Sequence, residues 1–164
     1  ENNMIVDLLR NDLAKVCEIG SIKVPHHHTI ESYTNVHQLV STVTGQLREN
    51  QNIFDCIAAT FPGGSITGAP KIRTMHLIQT LENRKRGIYT GSIGWIGFNG
   101  ACQLSIAIRT IFIQNNRLTL GSGGGIVTQS IPRLEVEEIK TKAMFARTIL
   151  KFPNKKCVLA TNIR

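Results

Sequence analysis

Apolar residues recur at helical spacing in four parts of the chain. The first part predicts an amphipathic helix over residues 2–15, whose apolar positions are Met4, Ile5, Leu8, Leu9 and Leu13. A short helix is predicted over residues 52–60, and another begins at Pro70-Lys71 and runs to about Glu82. The last predicted helix is long, because its pattern begins at Ser130-Ile131-Pro132 and continues to about Leu150.

Between the helices, the sequence is rich in residues that favour strands. Val, Ile, Thr and Tyr predict two or three strands between Ile22 and Leu47, with HTIESY and HQLVSTVTGQL the clearest. Three more strands are predicted, at Tyr89–Phe98, Gln103–Gln114 and Arg117–Leu120, with hairpin turns at Asn99-Gly100 and Asn115-Asn116. Strands and helices in separate blocks predict an α+β fold with an antiparallel sheet and packed helices.

Composition and charge narrow the class of protein. With 41% hydrophobic and 18% charged residues, the chain is typical of a globular protein. We expect no membrane association, because neither a signal peptide nor a run of roughly 18 apolar residues is present. The formal charge is +8, but the basic residues form no single block and only 5% are aromatic, which disfavours nucleic acid and favours a small polyanion. Four widely spaced cysteines predict reduced thiols in the cytoplasm.

Two glycine-rich segments are candidates for binding an anion. In FPGGSITGAPK, residues 61–71, backbone N–H groups and the hydroxyls of Ser65 and Thr67 can approach an oxyanion before a predicted helix. The spacing is not that of a Walker A loop, so nucleotide binding is not indicated. In GSGGG, residues 121–125, the glycines indicate positive φ or a ligand against the main chain. A tight turn and a flexible hairpin end are equally good interpretations of the two segments.

Charged side chains add two further candidates. Glu135, Glu138 and Lys142 share one face of the last predicted helix, where two carboxylates can reach one divalent cation such as Mg²⁺. On the pattern alone, a solvated face with a Glu138–Lys142 ion pair is the better interpretation. Arg109, in a predicted strand, suits a carboxylate as a bidentate partner, although it and Tyr89 can equally be outward strand residues.

Taken in order, six segments resemble one family of enzymes. MIVDLLRNDL, VHQLVSTV, FPGGSITGAPKIRTM, YTGSIGW, SIAIRT and GSGGGIV are similar to the C-terminal half of the chorismate-binding enzymes. The resemblance covers residues 1–150 as the C-terminal part of the chorismate-binding domain and leaves 151–164 as a C-terminal tail. The glycine segment at 63–71 looks like that of aminodeoxychorismate synthases rather than that of anthranilate synthases.

The resemblance implies a set of site residues. Those that bind chorismate would be Ser65, Thr67, Tyr89, Arg109, Gly123, Gly125 and Lys142. A Mg²⁺ cofactor would be held by Glu1 and Glu138, with Glu135 close by. Gln38 stands where anthranilate and salicylate synthases carry a histidine that is associated with the loss of pyruvate, and an amide is a poor proton shuttle.

The function implied is amination of chorismate to 4-amino-4-deoxychorismate, for p-aminobenzoate and folate, with a glutamine amidotransferase as the source of ammonia. The family's nucleophilic lysine lies in a motif that would precede residue 1. Since the chain also lacks an initiating Met, we expect an inactive fragment of a longer enzyme. An anthranilate synthase component I, which forms anthranilate and pyruvate, and a non-catalytic homologue remain the alternatives. Gln129 and Val136 replace an Asp and a Tyr that are common in the family.

Overall fold

The computed structural model describes the backbone of residues 2–34 and 36–150. Within these residues the chain forms α1 Asn2–Ala14, β1 Lys23–Tyr33, β2 Val36–Thr44, α2 Ile53–Thr60, α3 Gly64–Thr67, α4 Lys71–Glu82, β3 Ser92–Ile96, β4 Cys102–Ile106, β5 Ile111–Gln114, β6 Arg117–Leu120 and α5 Pro132–Leu150. The predicted helices at 2–15, 52–60, 70–82 and 130–150 are confirmed within two residues at each end. Glu1 and the predicted tail at 151–164 lie outside the described residues.

The strands pair with their neighbours along the chain. β1 and β2 form an antiparallel pair that runs from Lys23 opposite Thr44 to Tyr33 opposite Val36. β3 pairs with β4, and β5 pairs antiparallel with β6. Asn115 and Asn116 form the β5–β6 turn at φ values of 49° and 56°, the left-handed backbone that a two-residue hairpin turn requires. Helices and paired strands together confirm the α+β fold class.

The chain divides into two compact units, which are described separately. The first comprises residues 1–76 and 97–102, and the second comprises 77–96 and 103–164. In the first unit, α1 packs against β2, α2 and α3, and the buried residues of this packing include Val6, Leu8, Asp12, Val16 and Cys17. In the second unit, α5 buries Ile139, Ala143 and Ala146. Each unit therefore has its own buried residues around one long helix.

Two local predictions were wrong. The strand expected from Tyr89 begins only at Ser92, because residues 87–90 form a turn in which Thr90 has a φ of 65°. The strand expected over Gln103–Gln114 is two strands, since the backbone turns at Arg109, whose φ is 50°. Arg109 is therefore a residue of a connecting segment. The first glycine-rich segment contains the single helical turn α3 in addition to a loop.

Two expectations, about the cysteines and about membrane-spanning helices, can be compared with the structure. Cys17, Cys56 and Cys102 are free thiols, as the wide spacing of the cysteines predicts. Cys157 lies outside the described residues. Among helices within 2–34 and 36–150, none is both long enough and apolar enough to cross a membrane.

Candidate active site

The second unit places the side chain of Tyr89 against the glycine cluster that follows β6. The half-buried ring lies so close to Gly121 that a Cβ atom there would overlap it. A Cβ atom at Gly123 would lie 2.7 Å from the phenol oxygen of Tyr89. A Cβ atom at Gly121 would overlap the ring itself and one at Gly123 would displace the phenol oxygen, since real Cβ atoms do not approach other atoms this closely. The side chain of Tyr89 thus lies against the main chain of the glycine cluster, at the place where the sequence predicted that a ligand could lie.

Arg86 also contacts the ring of Tyr89. Its guanidinium carbon lies 5.8 Å from the centre of the Tyr89 ring, within the range of a cation–π contact. The same guanidinium donates two hydrogen bonds to the Glu82 carboxylate, at 2.9 and 2.6 Å. Burial raises the pKa of the Tyr89 phenol, and the positive charge of Arg86 partly opposes this shift. Tyr89 therefore stays protonated near neutral pH and can donate a hydrogen bond to an anion.

Helix α5 is joined to the glycine cluster by polar contacts. The Lys142 ammonium donates to the carbonyl oxygen of Gly123 at 3.3 Å and forms an ion pair with Glu138 at 2.6 Å. The Ser122 hydroxyl donates to the carbonyl oxygen of Ile139 at 3.1 Å. The predicted i,i+4 pair between Glu138 and Lys142 is confirmed. Gly123, Lys142 and Glu138 therefore form one cluster, and Tyr89 joins it through its contact with Gly123.

Glu135 has an unsatisfied oxygen beside this cluster. Its Oε2 atom is buried and has no hydrogen-bond partner in the part of the chain that the structure describes. A Cβ atom at Gly124 would lie 3.2 Å from the same oxygen. Burying a carboxylate oxygen without a partner is costly, so this atom suits a bound cation.

Two carboxylates of α5 have the chemistry of cation ligands but are too few to complete the coordination of a divalent cation. Glu135 and Glu138 are three residues apart on one helix and supply the oxygen ligands that Mg²⁺ prefers. Within residues 2–34 and 36–150, no three His, Cys, Asp or Glu side chains are arranged to hold a metal ion. Glu1, the third predicted ligand, lies outside the described residues.

Arg109 and Gly125 are both exposed, in segments without regular structure. The Arg109 guanidinium makes no hydrogen bond or ion pair with any residue that the structure describes. Arg109 has a left-handed backbone, which is unusual for a residue with a Cβ atom. Its side chain therefore points in a different direction from the side chain of a residue in a strand. The structure leaves this guanidinium available to a ligand and does not bring it into contact with Tyr89.

Ser65 and Thr67 lie in α3, in the first unit. The Ser65 side chain is exposed and its hydroxyl has no partner among the described residues. The Thr67 hydroxyl donates to the carbonyl oxygen of Gly63 at 3.0 Å. Because that hydrogen is already engaged, Ser65 is the better donor for an anionic ligand.

The family to which these residues belong follows from comparison with known proteins. The family described as chorismate binding enzyme matches residues 1–148, most of the chain. The chain belongs to this family. The resemblance noted in the sequence is therefore confirmed, and the fold is part of the chorismate-binding fold.

Relatives in the chorismate-binding family include aminodeoxychorismate synthases and anthranilate synthases. The chloroplastic aminodeoxychorismate synthase of Arabidopsis thaliana is 49% identical over 154 residues, which are 93% of this chain and 17% of the relative. Anthranilate synthase component 1 of Pseudomonas aeruginosa is 47% identical over 92% of this chain and 31% of its own length. The crystal structure of anthranilate synthase component I from Streptococcus pneumoniae superposes with a TM-score of 0.81 at 41% identity, over 86% of this chain and 32% of that one. The chain thus spans less than a third of the length of these relatives.

Sequence reasoning missed several residues that organise the segments around the candidate site residues. Asp12 is buried and accepts hydrogen bonds from Lys15 and Lys71. One signal was available, because Asp12 lies four residues after Leu8 on the apolar face of α1. Glu82 and Arg86 gave no comparable signal, since charged residues at the end of a helix are common on any surface.

Proposed function

We propose that the natural protein carrying this chain aminates chorismate to 4-amino-4-deoxychorismate, with ammonia supplied by a glutamine amidotransferase. The observation that carries the proposal is the cluster of Tyr89, Gly123 and Lys142 beside the unsatisfied carboxylate oxygen of Glu135. The cluster contains a phenol that can donate a hydrogen bond, a positively charged ammonium and a carboxylate oxygen that can bind a cation. All three features suit an anionic substrate. Chorismate carries two carboxylates, so the positive net charge of the chain also favours it.

The proposed roles follow from the chemistry of each group. The guanidinium of Arg109 and the phenol of Tyr89 would bind the enolpyruvyl carboxylate, because both donate hydrogen bonds to anions. Backbone N–H groups of Gly123 and Gly125 would contact the substrate where side chains would obstruct it. The hydroxyls of Ser65 and Thr67 would line the pocket, and the ammonium of Lys142 would lie near a substrate carboxylate.

A Mg²⁺ ion is part of the proposal. Glu135, Glu138 and Glu1 would hold it, and when bound it would neutralise the ring carboxylate of chorismate. Lys142 already neutralises Glu138 in the structure, so the ion pair would loosen as a cation binds. The nearby Gly123 carbonyl would then be the remaining partner of the Lys142 ammonium.

Gln38 supports amination without loss of pyruvate. It lies exposed on β2, opposite Glu31 in the β1–β2 register. An amide cannot remove a proton near neutral pH, so aromatisation of the ring would lack a base at this position. The relative named aminodeoxychorismate synthase is consistent with this product.

Anthranilate synthase component I is the second candidate function. It is supported by the Pseudomonas aeruginosa relative, which is nearly as similar as the aminodeoxychorismate synthase, and by the Streptococcus pneumoniae structure. A non-catalytic homologue is the third possibility that the experiment must separate, because Gln129 and Val136 depart from residues common in the family.

The product of the natural protein distinguishes these candidates. The protein is incubated with chorismate, Mg²⁺ and ammonia, and the products are identified by mass and fluorescence. We expect aminodeoxychorismate to accumulate and to become p-aminobenzoate only after a separate lyase is added. Direct formation of anthranilate with an equal amount of pyruvate would favour the second candidate. An absence of turnover would favour the non-catalytic homologue.

A further inference from the structure

Asp12 is the most deeply buried large side chain of the first unit. Its side chain is 1% exposed, in the last turn of α1, and it accepts hydrogen bonds from two ammonium groups. Lys15 is 2.8 Å away and half exposed, whereas Lys71 is only 14% exposed. Removing a carboxylate and an ammonium from water costs several kcal/mol for each ion, so an apolar pair could fill the same space at least as stably. Stability alone therefore does not explain why Asp12 and Lys71 form a buried pair.

Lys71 joins α1 to both ends of the glycine-rich segment 61–70. It is the first residue of α4, and its ammonium also lies 3.4 Å from the carbonyl oxygen of Thr60, the last residue of α2. Thr60 and Lys71 flank the segment on either side. One ammonium, held by Asp12, thus brings the two ends of the segment together on α1.

A second contact between α1 and the segment lies one helical turn from Asp12. Gly64 is buried, and a Cβ atom there would lie 3.0 Å from the Cβ atom of Leu8. Leu8 and Asp12 are four residues apart on the same face of α1. Helix α1 therefore holds the segment at its ends and near its middle, and Ser65 follows the buried glycine with its side chain in solvent.

We infer that the Asp12–Lys71 pair positions the glycine-rich segment 61–70, so that Ser65 is presented to the substrate in a fixed place. The inference rests on the proposed function for the identity of that substrate. Its physical basis is that hydrogen bonds are directional. The Asp12–Lys71 pair, with the additional carbonyl acceptor, therefore fixes the two ends of the segment at defined points. An apolar pair of similar volume would fill the space without restraining Thr60.

Hydrogen exchange of the full chain tests the inference without substrate. The double variant Asp12→Leu/Lys71→Met removes the pair but keeps the volume apolar, and Lys71→Arg keeps the charge. We expect the double variant to unfold at a denaturant concentration close to that of the parent, while amides of residues 61–70 exchange about tenfold faster. Lys71→Arg should exchange more slowly there than Lys71→Met does.

Lys15→Met is the matched control, because it removes the other partner of Asp12 and leaves Lys71 in place. It should leave exchange of residues 61–70 within about twofold of the parent. The inference is wrong if the double variant, folded, protects the segment as well as the parent does. If the double variant does not fold, equal protection of the segment in Lys71→Met and the parent would overturn it.

Kinetics of the natural protein supply the second measurement. Lys71→Met should raise KM for chorismate about tenfold and change kcat much less, with partial recovery in Lys71→Arg, because a displaced segment weakens substrate binding. A parent protein that does not turn over chorismate would contradict the proposed function, and the exchange measurement would still decide the inference. Unchanged KM in an active Lys71→Met variant would overturn the inference itself.

Discussion

The ring of Tyr89 lies on the backbone of Gly121, in a contact that leaves no room for a Cβ atom. Gly123 continues the same surface, with its Cα facing the phenol oxygen. Arg86 also lies against the ring, 5.8 Å from its centre. The position of the phenol is therefore fixed by its neighbours, of which only Gly123 is a proposed substrate contact.

Gly121→Ala should displace the Tyr89 ring. Because an added methyl group in a filled space strains its neighbours, we expect the free energy of unfolding to fall by about 1–3 kcal/mol. KM for chorismate should rise in the natural protein. Denaturant titration and steady-state kinetics measure the two effects. In a Tyr89→Ala background the same substitution should cost much less, and a double-mutant cycle without coupling would contradict the contact.

The Glu82–Arg86 pair should make stability depend on pH. The hydrogen bonds from Arg86 lower the pKa of Glu82 below its usual value of 4.5, although burial partly opposes this. The pair therefore stabilises the fold fully above pH 4.5, and the contribution disappears as pH falls through the lowered pKa. Glu82→Gln should lose roughly 0.5 kcal/mol at neutral pH and flatten this dependence.

Unfolding midpoints measured from neutral to acidic pH test the role of Glu82. Glu137→Gln is the control, because its Arg133 partner is 3.5 Å away and both side chains are more than half exposed. The control should keep the pH dependence of the parent. If the unfolding midpoint of Glu82→Gln falls with acidic pH as steeply as that of the parent, the Glu82–Arg86 pair does not contribute to the pH dependence of stability.

Glu135→Gln should weaken Mg²⁺ binding, since a neutral amide replaces the carboxylate whose Oε2 atom lacks a partner. We expect the dissociation constant for Mg²⁺, measured calorimetrically on the natural protein without chorismate, to rise at least about tenfold. Glu138→Gln should have a similar effect. Glu137→Gln, on the same helix, should bind Mg²⁺ as the parent does. Equal affinities in all three variants would exclude α5 as the metal site.

Arg109→Ala should raise KM for chorismate strongly. The loss of a charge-assisted pair with a buried partner costs on the order of 2–5 kcal/mol. Arg109→Lys should recover only part of the loss, because an ammonium cannot reproduce a bidentate contact. Arg117→Ala, at the exposed start of β6, is the control and should leave KM unchanged. A KM within about twofold of the parent for Arg109→Ala would remove Arg109 from the site.

Local sequence signals predicted the regular elements well. The helical spacing before Leu13 and the Asn115-Asn116 turn involve residues that are close in sequence, and both appear as expected. The strand predicted from Tyr89 failed because that residue packs on Gly121, and a contact between distant residues overrode a local preference for strand. The strand predicted through Arg109 failed because the alternation of apolar and polar residues continues through a point where the backbone turns.

The sequence predicted which residues belong to the candidate site better than it predicted how they are arranged. The glycine cluster and Lys142 were expected near substrate, and the structure brings them together with Tyr89. Asp12 was missed, because a carboxylate on an amphipathic helix is usually exposed and its buried partner, Lys71, lies far along the chain. Pairings between distant charges leave no periodic signal in a single sequence.

Lys142 has a consequence for the proposed Mg²⁺ site. Its ammonium already lies against the Glu138 carboxylate, so an arriving divalent ion meets a charge that must first move aside. That competition is worth roughly 0.5 kcal/mol for such a pair and lowers affinity slightly. The proposed site would therefore bind Mg²⁺ about twofold more weakly than it would without Lys142. Its occupancy would follow the free magnesium concentration of the compartment, and the rate of the reaction with it.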